Sequence, residues 1–388
     1  MAKMTIKKPQ PDGACRRAKR KNRQGRGTLP VVLLYGINPS WTPEEQEEVI
    51  RESRRLGFAM RRRGYSVRFL PVSHSDLRSA LSAYEPHRVV IFNWCEELPG
   101  VRRSEHKVAE TLEALRFTYT GAPPRVIRLS YDKVRVKRIL QSQGLPTPRW
   151  KVFRNPEEKG WDCYPAIVKL AREHCSIGLD TEAVVFGPEQ LRKRVEYVIN
   201  TYRQPALVED FIDGPEYHVP LIGNDPVEML PPVEMDFSAL EDPAKHVCTY
   251  SAKFTPASEE YQKIVAYVPA RLSAEQMAQL EEISKKAYQT VGCRDYGRVD
   301  VRMRDGVFYV LDVNPNADIS SDASLALAAQ KAGYCYGELG SRLVALAAQR
   351  HLAIQNPPGE IASTCSPAGP ALEGDLSASV LDAIPVEA

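Results

Sequence analysis

Short apolar runs alternate with amphipathic segments along the first third of the chain. Val31–Tyr35 (VVLLY), the SVRFL segment that begins at Ser66 and Arg88–Asn93 (RVVIFN) are typical of buried strands, and segments with helical spacing of apolar residues follow them. The first helix opens at Thr42 with a capping box and a proline at the first helical position. Because strands that alternate with helices form parallel sheets, residues 29–125 are predicted to form a doubly wound α/β domain.

The pattern changes near residue 126. A helix is predicted from a cap at Ser130 to Gly144, which precedes two prolines in the chain. Pro165–Leu170 (PAIVKL) and Ala206–Ile212 (ALVEDFI) then predict strands on either side of a helix. Residues 126–212 are therefore predicted to form a compact α+β unit.

Residues 213–352 are predicted to form a further unit. It contains several strands, a long helix that follows the Ser-x-x-Gln cap at Ser273, a hairpin and two final helices. The three units together predict a mixed fold of the α/β and α+β classes.

The two ends of the chain differ from the rest in charge and composition. Residues 1–28 hold ten Lys and Arg residues against the single Asp12, within a net charge of +3 for the whole chain. No aromatic residues are interleaved with these charges, so a disordered, solvated tail is favoured over a nucleic-acid-binding segment. Residues 353–388, rich in Pro, Ser, Ala and acidic residues, are also predicted to be disordered.

Composition narrows the class of protein. No apolar run approaches the roughly 20 residues that cross a bilayer, and no secretory signal is visible, so we expect a cytoplasmic protein without a membrane partner. The eight cysteines are scattered, with no C-x-x-C pair and no histidine at zinc spacing. Reduced, structural thiols are therefore the favoured interpretation.

The segment 296–314 predicts a hairpin in which apolar and polar residues alternate on both arms. A two-residue turn at Asp305-Gly306 would oppose Val299 and Asp312 and so mismatch polarity. A three-residue loop, with Gly306 in the left-handed region, avoids this mismatch. The pairs that it predicts are Val299–Val313, Val301–Leu311, Met303–Tyr309, Asp300–Asp312 and Arg298–Asn314.

Two interpretations of this hairpin are open from spacing alone. Facing carboxylates repel by up to about 1 kcal/mol unless a cation lies between them, and carboxylates with an amide oxygen form the ligand set that Mg²⁺ takes beside phosphates. Alternatively, Asp300 and Asp312 pair with Arg298 and Arg302 on a solvated face.

The segments around the hairpin resemble the ATP-grasp superfamily, in particular its D-alanine:D-alanine ligase-like branch. The resemblance covers residues from about 130 to 350 and implies an ATP-grasp fold behind the N-terminal doubly wound α/β domain. The matching segments, in the order of the family, are DKVRVKRILQSQGLPTP, YPAIVKLAREHCSIG, LVEDFIDGPEYHV, YSAKF, YGRVDVRM and YVLDVNPNADIS.

The resemblance implies an ATP site. Lys133 and Lys169 match the lysines that contact ATP phosphates, and a buried phosphate partner would offset the cost of an ammonium in the apolar strand around Lys169. Ser176 lies in the segment that matches the phosphate-covering loop, which here has fewer glycines than is usual. The residues that match the adenine-binding strand and the ribose-binding acid are Glu209, Asp210, Phe211, Ile212 and Glu216.

The resemblance also implies a metal and reaction site. Asp300, Asp312 and Asn314 match the ligands of Mg²⁺ (or Mn²⁺), although relatives commonly have glutamate in place of Asp312. Lys253 and Arg298 match the catalytic cations. The residues that we expect near the substrates are Tyr250, Ser320, Ser321 and Ser324.

The implied reaction is ATP-dependent joining of a carboxylate to an amine through an acyl phosphate, with amino acids or a peptide as the small-molecule substrates. No covalent enzyme nucleophile is needed. The alternative is a catalytically reduced ATP-binding protein of the same fold. A homodimer is compatible with the sequence, which does not identify the oligomeric state.

Overall fold

The computed structural model describes residues 29–174, 176–249, 252, 255 and 257–351. The predicted tails, 1–28 and 353–388, and the predicted site residues Tyr250 and Lys253 lie outside these ranges. The described residues form three sheets of four, four and six strands.

The N-terminal unit is a parallel sheet in the order β2-β1-β3-β4. Successive residues of its central strand β1 pack into different hydrophobic clusters, Val32 and Leu34 in one and Val31 and Leu33 in the other, so both faces of the sheet are covered. This burial explains the uninterrupted apolar run, and the predicted doubly wound arrangement is observed. Its elements are β1 (Val31–Gly36), α1 (Pro43–Arg61), β2 (Val67–Val72), α2 (Leu77–Leu81), β3 (Val90–Trp94), α3 (Glu105–Ala114) and β4 (Thr118–Tyr119).

Two helices connect this unit to the next, α4 (Pro124–Ser130) and α5 (Lys133–Ser142). The predicted cap at Ser130 is wrong, because Asp132 caps α5 by accepting a hydrogen bond from the Arg135 backbone N–H. Ser130 instead ends α4 and donates to the Ile127 carbonyl. The cap places Lys133 at the first position of α5.

The central unit is an antiparallel sheet in the order β5-β8-β6-β7 with one long helix against it. Its own apolar cluster includes Val168 on β6 and Val195 on the helix. The elements are β5 (Trp150–Phe153), β6 (Ala166–Leu170), β7 (Val184–Val185), α6 (Pro188–Tyr202) and β8 (Ala206–Asp210).

The C-terminal unit is built on a sheet in the order β12-β11-β9-β13-β14, with β10 paired to β9. The predicted Ser-x-x-Gln box at Ser273 is present at the start of its longest helix. Its elements are β9 (Glu216–Ile222), β10 (Glu228–Met229), β11 (Val233–Asp236), α7 (Glu259–Lys263), β12 (Val265–Tyr267), α8 (Ala274–Val291), β13 (Tyr296–Arg304), β14 (Val307–Pro315), α9 (Ser324–Lys331) and α10 (Tyr336–Ala348).

The β13–β14 hairpin combines the two registers that the sequence offered. Asp305 and Gly306 both have positive φ, 54° and 76°, as a two-residue type I′ turn requires, so the predicted three-residue loop is wrong. A bulge between Asp300 and Val301 leaves Leu311 as the extra residue. The predicted pairs beyond the bulge, Asp300–Asp312, Val299–Val313 and Arg298–Asn314, are therefore observed, whereas Val301–Leu311 and Met303–Tyr309 are replaced by Val301–Val310 and Met303–Phe308.

Buried polar contacts join the N-terminal unit to the C-terminal sheet. Arg350 donates two hydrogen bonds of 2.7 Å to Asp295, which is fully buried and also accepts from the Gly121 backbone N–H at 2.9 Å. Asn316 donates to Glu105 at 2.7 Å. A Cβ at Gly121 would lie 2.3 Å from Asn316 Oδ1, so glycine is needed for this close approach.

Across the described ranges, we find no helix with both the length and the apolar character to span a bilayer.

Candidate active site

A cleft of about 600 Å³ is lined by residues from all three units. This volume is in the range of small-molecule sites. Every described residue that the sequence assigned to ATP, to the metal or to catalysis lines it. These residues are Lys133, Lys169, Ser176, Glu209, Asp210, Phe211, Ile212, Glu216, Arg298, Asp300, Asp312 and Asn314.

Two lysines face the cleft, one from a helix and one from a strand, and each pairs with a carboxylate. Lys133 at the start of α5 forms a short ion pair with Asp312 on β14. Lys169 on β6 lies 2.6 Å from Glu209 Oε2. Burial lowers the pKa of Lys169 to about 8, and the charge of Lys133 adds to this shift. An anion entering the cleft would meet both ammonium groups.

Lys137, which sequence reasoning missed, also pairs with Glu209. Its Nζ lies 2.5 Å from Glu209 Oε1 and donates to Thr147 Oγ1 at 2.7 Å, and both members of the pair are almost completely buried. Burial and the neighbouring Lys169 lower the pKa of Lys137 well below its ordinary value. The only sequence signal was a lysine one helical turn after Lys133. Glu209 therefore positions both Lys137 and Lys169.

The polar face of the hairpin gathers the predicted metal ligands. Asp300 accepts from Arg298 Nε at 2.6 Å and Nη2 at 2.9 Å, and from Asn314 Nδ2 at 2.9 Å. Burial would raise the pKa of Asp312, but Lys133 and other nearby cations lower it below its ordinary value. The expected repulsion between the two aspartates is thus offset by a guanidinium on one side and an ammonium on the other.

The outcome for the two hairpin interpretations is mixed. The pairing of Asp300 with Arg298 is observed, but Arg302 does not pair with either aspartate. It donates to Glu216 Oε2 from Nε at 3.1 Å and from Nη2 at 3.0 Å, and to the Ile212 carbonyl at 3.0 Å. The face is also largely buried, because Asp300 and Asp312 side chains are 13% and 20% exposed. The donor set still fits Mg²⁺, since two carboxylates and an amide side chain lie on one side of the strand pair, and rotation of the amide would present its oxygen.

The strand predicted to bind adenine borders the cleft, but its side chains already have partners. Asp210 forms a two-point ion pair with Arg304, at 3.0 and 2.5 Å, and Phe211 is buried. Leu311, the bulged residue of β14, adds an apolar wall that the sequence register did not predict, because the bulge turns it toward the cleft. Glu216 keeps its Oε1 atom directed away from Arg302 and 3.1 Å from His218 Nε2.

The loop after β6 is tied to its surroundings by side chains. Ser176, with φ of 59°, donates from Oγ to the Cys248 carbonyl at 2.9 Å. His174 Nε2 lies 3.1 Å from Ser130 Oγ, and its ring packs edge-on against Tyr131. Burial and the charge of Lys133 lower the pKa of His174 to about 4. The imidazole is therefore neutral near pH 7 and adds no charge to the part of the cleft around Lys133.

The cleft also contains acidic side chains. Glu96, Glu105 and Asp318 line it, and burial raises the pKa of Glu105 to about 8, opposed by its hydrogen bond from Asn316 and increased by Glu96. Of the three serines predicted near the substrates, Ser324 lines the cleft, and its hydroxyl has no hydrogen-bond partner among the described residues.

The other two serines are occupied. Ser320 donates to Asp318 at 2.6 Å, whereas the Ser321 backbone N–H donates to Glu52 and its hydroxyl accepts from Arg55. Neither lines the cleft in the described part of the chain.

Comparison with known proteins agrees with this geometry. The family model of the D-ala D-ala ligase C-terminus matches residues 139–345. An uncharacterized protein of Sinorhizobium fredii, y4sG, is 35% identical over 264 residues, which are 68% of this chain and 75% of that protein. A D-alanine–D-alanine ligase of Carboxydothermus hydrogenoformans is 28% identical over 261 residues, 64% of this chain and 79% of the ligase.

Among solved structures, the D-alanine–D-alanine ligase of Bacillus anthracis complexed with ATP superimposes with a TM-score of 0.64 and 19% sequence identity. The match covers 83% of this chain and 98% of that ligase. At this identity the likeness concerns the fold, which is the ATP-grasp fold.

Proposed function

Because this chain belongs to the D-ala D-ala ligase C-terminal family and is therefore an ATP-dependent ligase, we propose that it joins a carboxylate to an amine through an acyl phosphate. The carboxylate substrate would attack the γ-phosphorus of ATP and release ADP. The amine would then attack the carbonyl carbon, release phosphate and form the amide.

The observation that carries this proposal is the convergence of charge at the hairpin. Asp300 and Asp312 face each other across β13 and β14, with Arg298 bound to the first and Lys133 to the second. Lys169 approaches from the neighbouring sheet. Phosphoryl transfer depends mainly on positioning and on neutralising charge, and this arrangement brings both signs of charge to one point.

Each group then has a role in the proposed reaction. Lys133 and Lys169 bind the phosphates as cations, and Arg298 stabilises the oxyanion that forms when the amine attacks. Asp300, Asp312 and Asn314 would hold Mg²⁺, which when bound neutralises charge on the transferring phosphoryl group. Lys253 and Tyr250 keep their predicted roles near the reacting groups.

The remaining predicted contacts concern the rest of the nucleotide and the loop. Glu209 to Ile212 would border the adenine, Glu216 would accept hydrogen bonds from the ribose, and Ser176 would contribute to the phosphate-covering loop. Arg302 donates to Glu216 Oε2 and so holds the carboxylate at the wall of the cleft, which supports this role for Glu216.

Amino acids are the substrate class that the cleft supports best. The carboxyl groups of Glu96, Glu105 and Asp318 favour an ammonium group, whose charge would lower the raised pKa of Glu105 toward its ordinary value, and the hydroxyl of Ser324 offers a donor for a carboxylate. The relatives from Carboxydothermus hydrogenoformans and Bacillus anthracis are D-alanine–D-alanine ligases, so pairs of D-amino acids are the first to examine. The substrate pair of this chain is not implied by the family alone.

The test is ATP turnover with a panel of D- and L-amino acids, supplied singly and in pairs, with phosphate release and amide formation measured by mass spectrometry. With a single carboxylate substrate and hydroxylamine as the amine, the proposal predicts a hydroxamate and one phosphate per hydroxamate. ATP binding without turnover across the whole panel would favour the alternative, a catalytically reduced ATP-binding protein. That alternative has one supporting observation, because ion pairs already occupy both aspartates.

A further inference from the structure

Three buried side chains with different donor atoms meet beside the cleft. Glu216 and His218 are two residues apart on β9 and so project from the same face of the strand. Cys248 approaches them from the loop before residue 250, and the three residues are 8%, 4% and 4% exposed. Their donor atoms, a carboxylate oxygen, an imidazole nitrogen and a thiol sulfur, all lie within 4.8 Å of one another.

Two described partners orient the Glu216 carboxylate. Arg302 donates to Oε2 from two nitrogens, whereas Oε1 lies 3.1 Å from His218 Nε2. Tetrahedral zinc, with bonds of about 2.0–2.1 Å to nitrogen or oxygen and about 2.3 Å to sulfur, requires donors separated by roughly 3.3–3.6 Å. The oxygen and nitrogen are already near this spacing, and Cys248 Sγ, which lies within 4.8 Å of both, would complete the site by moving toward them.

The charges also balance. A Cys248 thiolate and the Glu216 carboxylate together offset a divalent cation. Arg302 keeps carbonyl partners at Ile212 and His246 besides Glu216, so its charge remains compensated. It would act as an outer partner that orients the Glu216 carboxylate.

We propose that Glu216, His218 and Cys248 form a site for one zinc-like divalent cation, with a fourth position open to the cleft. Nitrogen and sulfur donors select Zn²⁺ or Co²⁺ over Mg²⁺, which takes oxygen ligands. This site is therefore distinct in chemistry from the hairpin oxygens of Asp300 and Asp312. Because it uses Glu216, its occupation should exclude the nucleotide, a consequence that rests on the ribose role proposed above.

The test begins with the full chain after chelator treatment. Co²⁺ is titrated without nucleotide, and the sulfur-to-cobalt charge-transfer absorption is followed, because it reports a cobalt–thiolate bond directly. Zn²⁺ is then titrated to displace the cobalt. We expect one equivalent per chain. Cys248→Ser should abolish the absorption, and His218→Gln should weaken Co²⁺ binding at least tenfold, since loss of even an outer partner costs about 10–100-fold.

Cys293→Ser is the matched control, because Cys293, like Cys248, is not in a disulfide but lies far along the chain in the turn after α8. It should keep the parent absorption and stoichiometry. Circular dichroism checks that each variant is folded, and using both the His218 and Cys248 variants keeps the test valid if one of them is not. Absence of the absorption in the parent chain, or its survival in Cys248→Ser, would overturn the site.

Competition with the nucleotide separates this inference from the proposed function. ATP affinity is measured at increasing Zn²⁺ with Mg²⁺ constant. Loss of ATP affinity in the parent and its retention in Cys248→Ser support the overlap. Cobalt–thiolate absorption with unchanged ATP affinity would confirm the metal site but refute the ribose role of Glu216. Normal ATP binding without any cobalt–thiolate bond would refute the metal site and leave the proposed function intact.

Discussion

Replacing Asp300 with asparagine separates the metal role of the hairpin from its structural role. From the sequence alone, removing one of two facing carboxylates would relieve repulsion and raise stability slightly. The structure reverses this sign, because Asp300 accepts two hydrogen bonds from Arg298, which is only 17% exposed, and one from Asn314. A hydrogen bond to a charged group contributes about 1.5–3 kcal/mol, so Asp300→Asn should lower the free energy of unfolding by about that amount.

Denaturant unfolding measures this loss, and ATP turnover at varied Mg²⁺ measures the metal role. Asp305→Asn is the matched control, since it makes the same chemical change in the same hairpin at a turn position that asparagine also tolerates. The control should match the parent in both assays, whereas Asp300→Asn should lose ATP-dependent ligation. Parent stability together with an unchanged Mg²⁺ requirement in Asp300→Asn would refute the reasoning on both counts.

Three further outcomes are expected. ATP affinity should be constant below about pH 8 and fall above it by at most tenfold per pH unit, because Lys169 loses the proton that gives it the charge to attract phosphate. Isothermal titration of Lys169→Arg should find no such fall up to pH 10. Glu216→Ala should weaken nucleotide binding and also lower the free energy of unfolding by about 3–5 kcal/mol, because Arg302 is left buried without its carboxylate; an unchanged denaturation midpoint would contradict this. Asp295→Ala should cost a similar 3–5 kcal/mol in denaturant unfolding by breaking its buried pair with Arg350, and parent stability would count against that contact.

Much of the fold was determined by local signals in the sequence. The apolar run of β1 predicted a strand buried on both faces, and the capping boxes at Thr42 and Ser273 marked the starts of α1 and α8. These features depend on neighbours within a few residues, so a linear pattern contains them. The resemblance of ordered segments then identified the ATP-grasp fold, which the comparisons confirm.

The hairpin shows which features the local sequence pattern cannot predict. Alternation predicted that Asp300 and Asp312 face each other, and they do. Alternation could not predict the bulge at Leu311. One extra residue shifts the pairing between the strands by one position, so the turn and the pairs beyond the bulge can each adopt a favourable register. The register of the two-residue turn, which polarity argued against, is present near the turn, and the predicted register is present beyond the bulge.

Only the tertiary structure decided which charges meet. Lys137 on α5 pairs with Glu209 on β8, Arg302 holds Glu216 rather than an aspartate of its own hairpin, and His218 and Cys248 come together across 30 residues of chain. Burial selects such pairs, because a charged side chain removed from water needs an opposite charge beside it, and the fold decides which one is close enough. The sequence by itself determined the residue types of the cleft and the strands that carry them, and the packing of three units against one another determined their partners.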